Sequence, residues 1–149
     1  MTPATSPLLA EEVPEVEALS DDECWALLSA APLGRIAVRT EDGVDIFPVN
    51  FVVTDRFIYL RSAPGSKLVD ISAASSVAFE ADGSRGRRHW SVVVHGQAKR
   101  MSFEGDILAS GVLALETATS SAKWNFIRVT PHSISGRRFT SPKSRHTGR

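Results

Sequence analysis

Apolar and polar residues alternate in "GRIAVRT", where Ile36 and Val38 face one way and Arg35, Ala37 and Arg39 the other, the period of a strand with one buried face. "EDG" supplies a hairpin turn, and "VDIFPVNFVV" follows as a second strand. "TDR" then turns the chain into a third, "FIYLR". "SVAFEAD" and "HWSVVVHGQAKRM" read as a fourth and fifth, separated by the loop "GSRGRR", and "WNFIRVTPHSISGRRF" as a last β-rich run. Helical spacing appears earlier, in "LSDDECWALLSAAPLG": Ser20 and Glu23 form a capping box, Cys24, Leu27 and Leu28 share a face, and Pro32 and Gly34 stop the helix. A second helix is expected from Ser102 through Glu116, burying Ile107, Leu108, Val112 and Leu115. Strands arriving mostly as consecutive hairpins, with helices inserted at intervals, predict an antiparallel barrel with flanking helices and argue against a doubly wound parallel sheet. No G-x-G-x-x-G occurs.

At 149 residues, 42% hydrophobic and 23% charged, the chain suits one compact domain. Lysines plus arginines equal aspartates plus glutamates at 17 each, so no overall field recruits nucleic acid or a membrane surface. The charge is uneven: every charged side chain from Met1 to Glu23 is acidic, and every one from Arg137 to Arg149 is basic. Residues 1–18 and 141–149 are expected to be disordered tails around a domain spanning 19–140. There is no signal-peptide pattern and no apolar stretch of bilayer-spanning length. Cys24, the single cysteine, suits a buried structural thiol in a reducing cytoplasm. Without a Cys or His cluster at ligand spacing, no metal site is expected.

Chemistry enters at "YLRSAPGSKLVDIS", Tyr59 to Ser72. Pro64 and Gly65 occupy the central positions of a type II turn, and Ser66 falls at the N-cap of a short helix. A hydroxyl, the free amides of a first helical turn, the Lys67 ammonium and Arg61 at the end of the preceding strand are what a phosphate monoester needs. The alternative is a capped surface helix with a solvated lysine. A Walker A loop is excluded, because the pattern G-x-x-x-x-G-K does not occur. In "FPVNF", Pro48 cannot donate to a ladder, so pairing lapses and the backbone of Val49, Asn50 and Phe51 becomes available to a planar heterocycle, unless this is an ordinary edge strand. Trp25, Trp90 and Trp124 suit either core or an aromatic ligand face. His89 and His95 lack a partner carboxylate at readable spacing, and Arg85, Arg87 and Arg88 read as a solvated loop or as contacts to an anionic ligand tail.

In order, "LGRIAV", "FPVNFVV", "RSAPGSKL", "HWSVVVHGQA" and "IRVTPHSISGRR" resemble the pyridoxamine 5′-phosphate oxidase-like family of flavin-binding split barrels, from about Leu19 to Phe139. The resemblance implies a six-stranded antiparallel split β-barrel with short flanking helices. It further implies a homodimer with two flavin mononucleotide (FMN) sites at the subunit interface. Carried onto this chain, the family pattern puts the flavin phosphate on Arg61, Ser66 and Lys67, with Leu68 in the same motif, and the ring against Val49, Asn50 and Phe51. Trp90, and with it Trp124 or Arg128, is expected near the ring from the same or the partner chain. Beyond "W-x-x-x-R-V-x-P" at Trp124 to Pro131 no full pyridoxamine phosphate pocket is identified, so the implied activity is an FMN-dependent oxidoreductase acting on a small molecule. Two further readings compete: a reductase using the deazaflavin coenzyme, whose tail would engage Arg85, Arg87 and Arg88, and a non-catalytic flavin- or haem-binding module.

Overall fold

The computed structural model describes residues 15–62, 75–101, 109–111 and 125–143. Its elements follow the order β1 (Val16–Ala18), α1 (Asp21–Ala30), β2 (Gly34–Thr40), β3 (Gly43–Val49), β4 (Phe51–Thr54), β5 (Phe57–Ser62), β6 (Ser75–Arg85), β7 (Arg88–Arg100) and β8 (Asn125–Thr140). Every pairing is antiparallel. The sheet runs β3-β2-β6-β7-β8-β5-β4, with β1 added on β8.

That order dictates a curl. β3 and β4 stand at opposite ends of the sheet, yet a single residue, Asn50, joins them in the chain. The two ends must therefore come together, and the strands must be staggered as closure requires. The register shows the stagger. A row through Pro48, Arg35 and Glu80 reaches β7 at Val93, whereas a row through Phe51, Leu60 and Ile127 reaches it at Arg100. No ladder joins β3 to β4, and this gap is the split of a split β-barrel. Inward residues alternate as β2 predicts: Ile36, Val38, Ile58, Leu60, Val77, Phe79, Val92, Val94, Ile127 and Val129 fill the interior. Phe51 meets Phe79 edge to face, with ring centroids 4.8 Å apart.

The helix closes one side of the barrel. Ser20 accepts from the Glu23 amide at 3.2 Å, and Cys24, Trp25 and Leu28 are buried. The cap is worth about 1 kcal/mol. Gly136 lets α1 approach β8, because a Cβ there would lie 2.7 Å from Cys24 Sγ and 3.1 Å from Leu19 Cδ1.

Three expectations are corrected. The described residues hold eight strands, not six, because "VDIFPVNFVV" breaks at Asn50 into β3 and β4 and because β1 joins the sheet. The chain enters the sheet at Val16, ahead of the domain start expected at Leu19; Val16 to Ala18 pair with Phe139 to Arg137, and Glu17 meets Arg138 at 3.9 Å. At the other end, the Ser141 amide donates to the Arg87 carbonyl at 2.8 Å, so the first residue of the expected tail is held against the turn between β6 and β7. "GSRGRR" is not a six-residue loop: β6 and β7 pair out to Arg85 and Arg88, leaving Gly86 and Arg87 as a two-residue turn. Gly86 has φ 62°, the positive value that a glycine supplies at the first position of a type II′ turn. The helix expected over 102–116 and the one expected from Ser66 lie largely or wholly outside the described residues, as does Trp124. Among the described residues, no helix is long and apolar enough to cross a membrane, and no group of three or more His, Cys, Asp and Glu is placed to hold a metal ion.

Candidate cofactor site at the split

Pro48 sits on the sheet's edge strand, level with Arg35 of β2, and the ladder ends one residue later at the Val49–Gly34 pair. Asn50 follows in no strand and is exposed. Pairing resumes at Phe51–Leu60. Continuing that antiparallel register by one residue brings Asn50 level with Arg61 of β5. Two elements remote along the sheet thus place an interrupted backbone beside a cation.

The side chains at the break divide by face. Val49 and Phe51 point into the barrel and belong to its core, so what they offer outward is backbone. Asn50 and Arg61 belong to the opposite face, together with Phe57 and Tyr59 of β5 and Phe126 and Arg128 of β8. Tyr59 pairs with Arg128, and Arg128 with Lys99. Thr54 on the same side of β4 donates to the Ser110 carbonyl at 2.7 Å, so the segment at 109–111 covers part of this face.

Cations near the break are not equivalent. Arg35 donates to Glu80 at 2.9 Å and lies 3.6 Å from Asp82. The hydrogen bond to Glu80, with the two neighbouring carboxylates, holds its guanidinium above the ordinary arginine value. Arg35 is therefore already committed to carboxylates, and Arg56 is paired with Asp22. Arg128 differs: its Nε is buried without a hydrogen-bond partner, and its guanidinium carbon lies 5.6 Å from the centroid of the Phe57 ring.

Of the residues expected at the site, Val49, Asn50, Phe51 and Arg61 come together at the split. Ser66, Lys67 and Leu68 lie outside the described residues. Trp90 lies on β7, three residues from Val93, which shares a row with Glu80, Arg35 and Pro48. It pairs with Gly83 and covers it so closely that a Cβ there would lie 2.7 Å from Nε1, and it packs partly buried against the core. Arg85 and Arg88 form the last pair of the β6–β7 hairpin, with Arg87 in its turn. His89 stacks on Phe139 with centroids 5.1 Å apart, and its Nε2 lies 3.2 Å from Ser141 Oγ. Lys99 and Tyr59 were not singled out from sequence. Their signal is the alternation of β5 and β7, which places them on the outward face, but only the pairing with β8 sets them beside Arg128.

Comparison with known proteins places these features in a family. The family model described as pyridoxamine 5′-phosphate oxidase matches residues 20–138. An uncharacterized protein of Mycobacterium tuberculosis is 33% identical over 88 residues, 59% of this chain and 80% of its own length. Among solved structures, a protein provisionally named a pyridoxamine 5′-phosphate oxidase from Corynebacterium glutamicum is 37% identical with a TM-score of 0.77, covering 87% of this chain and 96% of that one. An FAD binding protein from Mycobacterium smegmatis is 40% identical with a TM-score of 0.75, covering 85% and 100%. An FAD-binding protein from Mesorhizobium loti is 27% identical with a TM-score of 0.72, covering 86% and 99%. With a split barrel in the coordinates and a family model that takes in the sheet from β2 to β8 and the helix α1, the chain belongs to the pyridoxamine 5′-phosphate oxidase family.

Proposed function

We propose that the protein is a flavin-nucleotide-dependent oxidoreductase acting on a small molecule, with the flavin phosphate on Arg61 and the ring against the backbone from Val49 to Phe51. The observation that carries this reading is the meeting of the chain break at Asn50 with Arg61, on a face whose neighbouring Arg128 has a buried, unpartnered Nε. Such a group fits an anionic ligand, because phosphate oxygens accept from guanidinium with charge assistance. A flavin ring, when bound, supplies hydride exchange at N5. The chain's part is to hold and orient. Arg61 fixes the phosphate, with Ser66 and Lys67 as further donors expected from sequence. Amides and carbonyls around Asn50, where no ladder joins β3 to β4, offer donor and acceptor positions to the polar edge of the ring. The buried side chains of Val49 and Phe51 hold that backbone rigid from behind.

The reading includes a homodimer. Val44 and Ile46 are 69% and 65% exposed on the edge strand β3, on the same side as exposed Pro48. A second copy covering that edge would bury apolar surface and complete each site from outside. FMN is the nucleotide expected from sequence, whereas two of the relatives are described as binding FAD. Both carry the same ring and the same first phosphate.

The test is an absorption spectrum of the purified protein, followed by titration with FMN and FAD. Bound flavin, or micromolar uptake of either nucleotide, supports the proposal. A colourless protein that takes up neither contradicts it.

A further inference from the structure

The far end of the β6–β7 hairpin is built from like charges. Arg85 and Arg88 are its last cross-strand pair, and Arg87 stands in the two-residue turn between them. All three are exposed, and among the described residues none pairs with a carboxylate. Like charges directly opposite one another on a sheet repel, so this end carries a cost that an anion would remove. The turn itself is held in place: the Arg87 carbonyl accepts from the Ser141 amide at 2.8 Å, and Arg87 Nη1 donates to the Ser141 carbonyl at 3.3 Å.

Register brings the chain's opposite charge to the same end. β1 runs antiparallel to β8 with Val16 opposite Phe139, and continuing that pairing by one residue sets Glu15 level with Thr140. Thr140 is level with Arg88, and Arg88 with Arg85. Residues level with one another share a face, so Glu15, Thr140, Arg88 and Arg85 form one row on one side of the sheet. The next row on that side holds Glu17 and Arg138, 3.9 Å apart, an ion pair made directly across β1 and β8. Opposite Glu15 stands a threonine instead. Its short side chain leaves the carboxylate to reach on to Arg88, two strand spacings or about 10 Å away, a span that glutamate and arginine cover together. Because β1 leads away from the tip, the chain ahead of it enters from the tip side. The charged residues in that stretch of sequence, Glu11 and Glu12, are both acidic.

We propose that the acidic segment carrying Glu11, Glu12 and Glu15 docks on the arginine tip of its own chain and straps β1 to the edge of β8. Pro14 has no amide hydrogen with which to extend the β1–β8 ladder, so the segment is released from the edge there to cross toward Arg87 and Arg85. β1 is three residues long and buries no side chain, so charge contacts at its start weigh heavily in how long it stays paired. Exposed ion pairs are weak singly and are screened by salt, which makes the strap a network that salt releases. When it is released, the edge of β8 from Arg137 to Phe139 is open to another strand.

The experiment is hydrogen–deuterium exchange of the full chain, read by mass spectrometry on the peptide covering β1, at about 20 mM and about 500 mM salt. β1 should exchange about threefold to tenfold more slowly in low salt than in high salt. Arg85→Gln with Arg88→Gln, and separately Glu11→Gln with Glu12→Gln, should raise the low-salt rate toward the high-salt one and remove most of the salt dependence. Glu15→Arg should do the same, and adding Arg88→Glu to it should restore slow exchange. Unchanged exchange in the central part of β7 shows that each variant is folded. Exchange of β1 that ignores salt and the charge variants overturns the proposal. It is overturned equally if the glutamate variants leave β1 unchanged while the wild type binds a duplex oligonucleotide through Arg85 and Arg88, for the tip then serves nucleic acid.

Discussion

Replacing Gly34 by alanine tests how the barrel core supports the site. A Cβ at this position would lie 2.3 Å from Phe79 Cζ, and 2.9 and 3.0 Å from its Cε atoms. Phe79 is fully buried, so its ring cannot swing out to solvent; it must press on Phe51, its edge-to-face partner at 4.8 Å. Phe51 adjoins Asn50 at the split. Overpacking of this kind costs about 1–3 kcal/mol, and the entropy that alanine removes from the unfolded chain returns about 0.4–1 kcal/mol. The net loss is about 1–2 kcal/mol, a fall in Tm of roughly 3–6 °C for a chain of this size. Flavin affinity should fall with it, since the displaced ring moves the backbone at Asn50. Phe79→Leu alone leaves a small cavity, costing about 1–2 kcal/mol, and takes away the ring that a Cβ at position 34 would strike. The double variant should then be no less stable than Phe79→Leu, giving a coupling of about 1–2 kcal/mol by thermal or urea unfolding. If the two costs add within about 0.5 kcal/mol, the contact does not transmit strain and the reasoning fails.

Other consequences follow from the same geometry. Gly96 faces the bulge of β8 at His132, and a Cβ there would lie 2.2 Å from the Thr130 carbonyl oxygen, a backbone atom with little room to yield; Gly96→Ala should cost more than Gly34→Ala, about 3 kcal/mol, measured by denaturant unfolding. Burial, reinforced by Asp21 and Glu23, raises the Cys24 thiol above its ordinary 9.0, so the folded state binds the proton more tightly. The stability it contributes is therefore complete below the unfolded value and is lost as pH rises toward and through the folded one. Unfolding curves between pH 8 and 10 should show that decline, and Cys24→Ala, although less stable throughout, should show less of it. Ile46→Lys places a charge on the exposed edge strand and should leave a folded monomer in sedimentation, whereas an unchanged dimer would remove β3 from the interface.

Local patterns revealed much of this fold. The alternation in β2 separates Ile36 and Val38 from the arginines as the sheet requires, and the Ser20 cap sets the start of α1. Pro48 marked the place where one apparent strand becomes two, because a residue without an amide hydrogen belongs at an edge. Other features depend on partners remote in sequence. β1 carries no buried face, so nothing in "VEA" announces a strand until the edge of β8 is there to pair with it. The polar run "GSRGRR" has the composition of a loop, but continuous pairing of β6 with β7 carries the ladder through it. That Trp90 covers Gly83 is set by the pairing of β6 with β7, which the local sequence around the indole does not carry. Likewise, the approach of Asn50 to Arg61 follows from sheet closure, and the Arg128–Lys99 pair from the register of β7 against β8.

The most direct test of the account is flavin titration of Arg61→Gln beside the wild type, with unfolding curves to show that both are folded. Loss of a charge-assisted phosphate contact should weaken binding by about 1.5–3 kcal/mol, roughly tenfold to more than a hundredfold, while riboflavin, which has no phosphate, binds both proteins alike. Equal flavin nucleotide affinity in the two proteins would contradict the placement of the phosphate at the split.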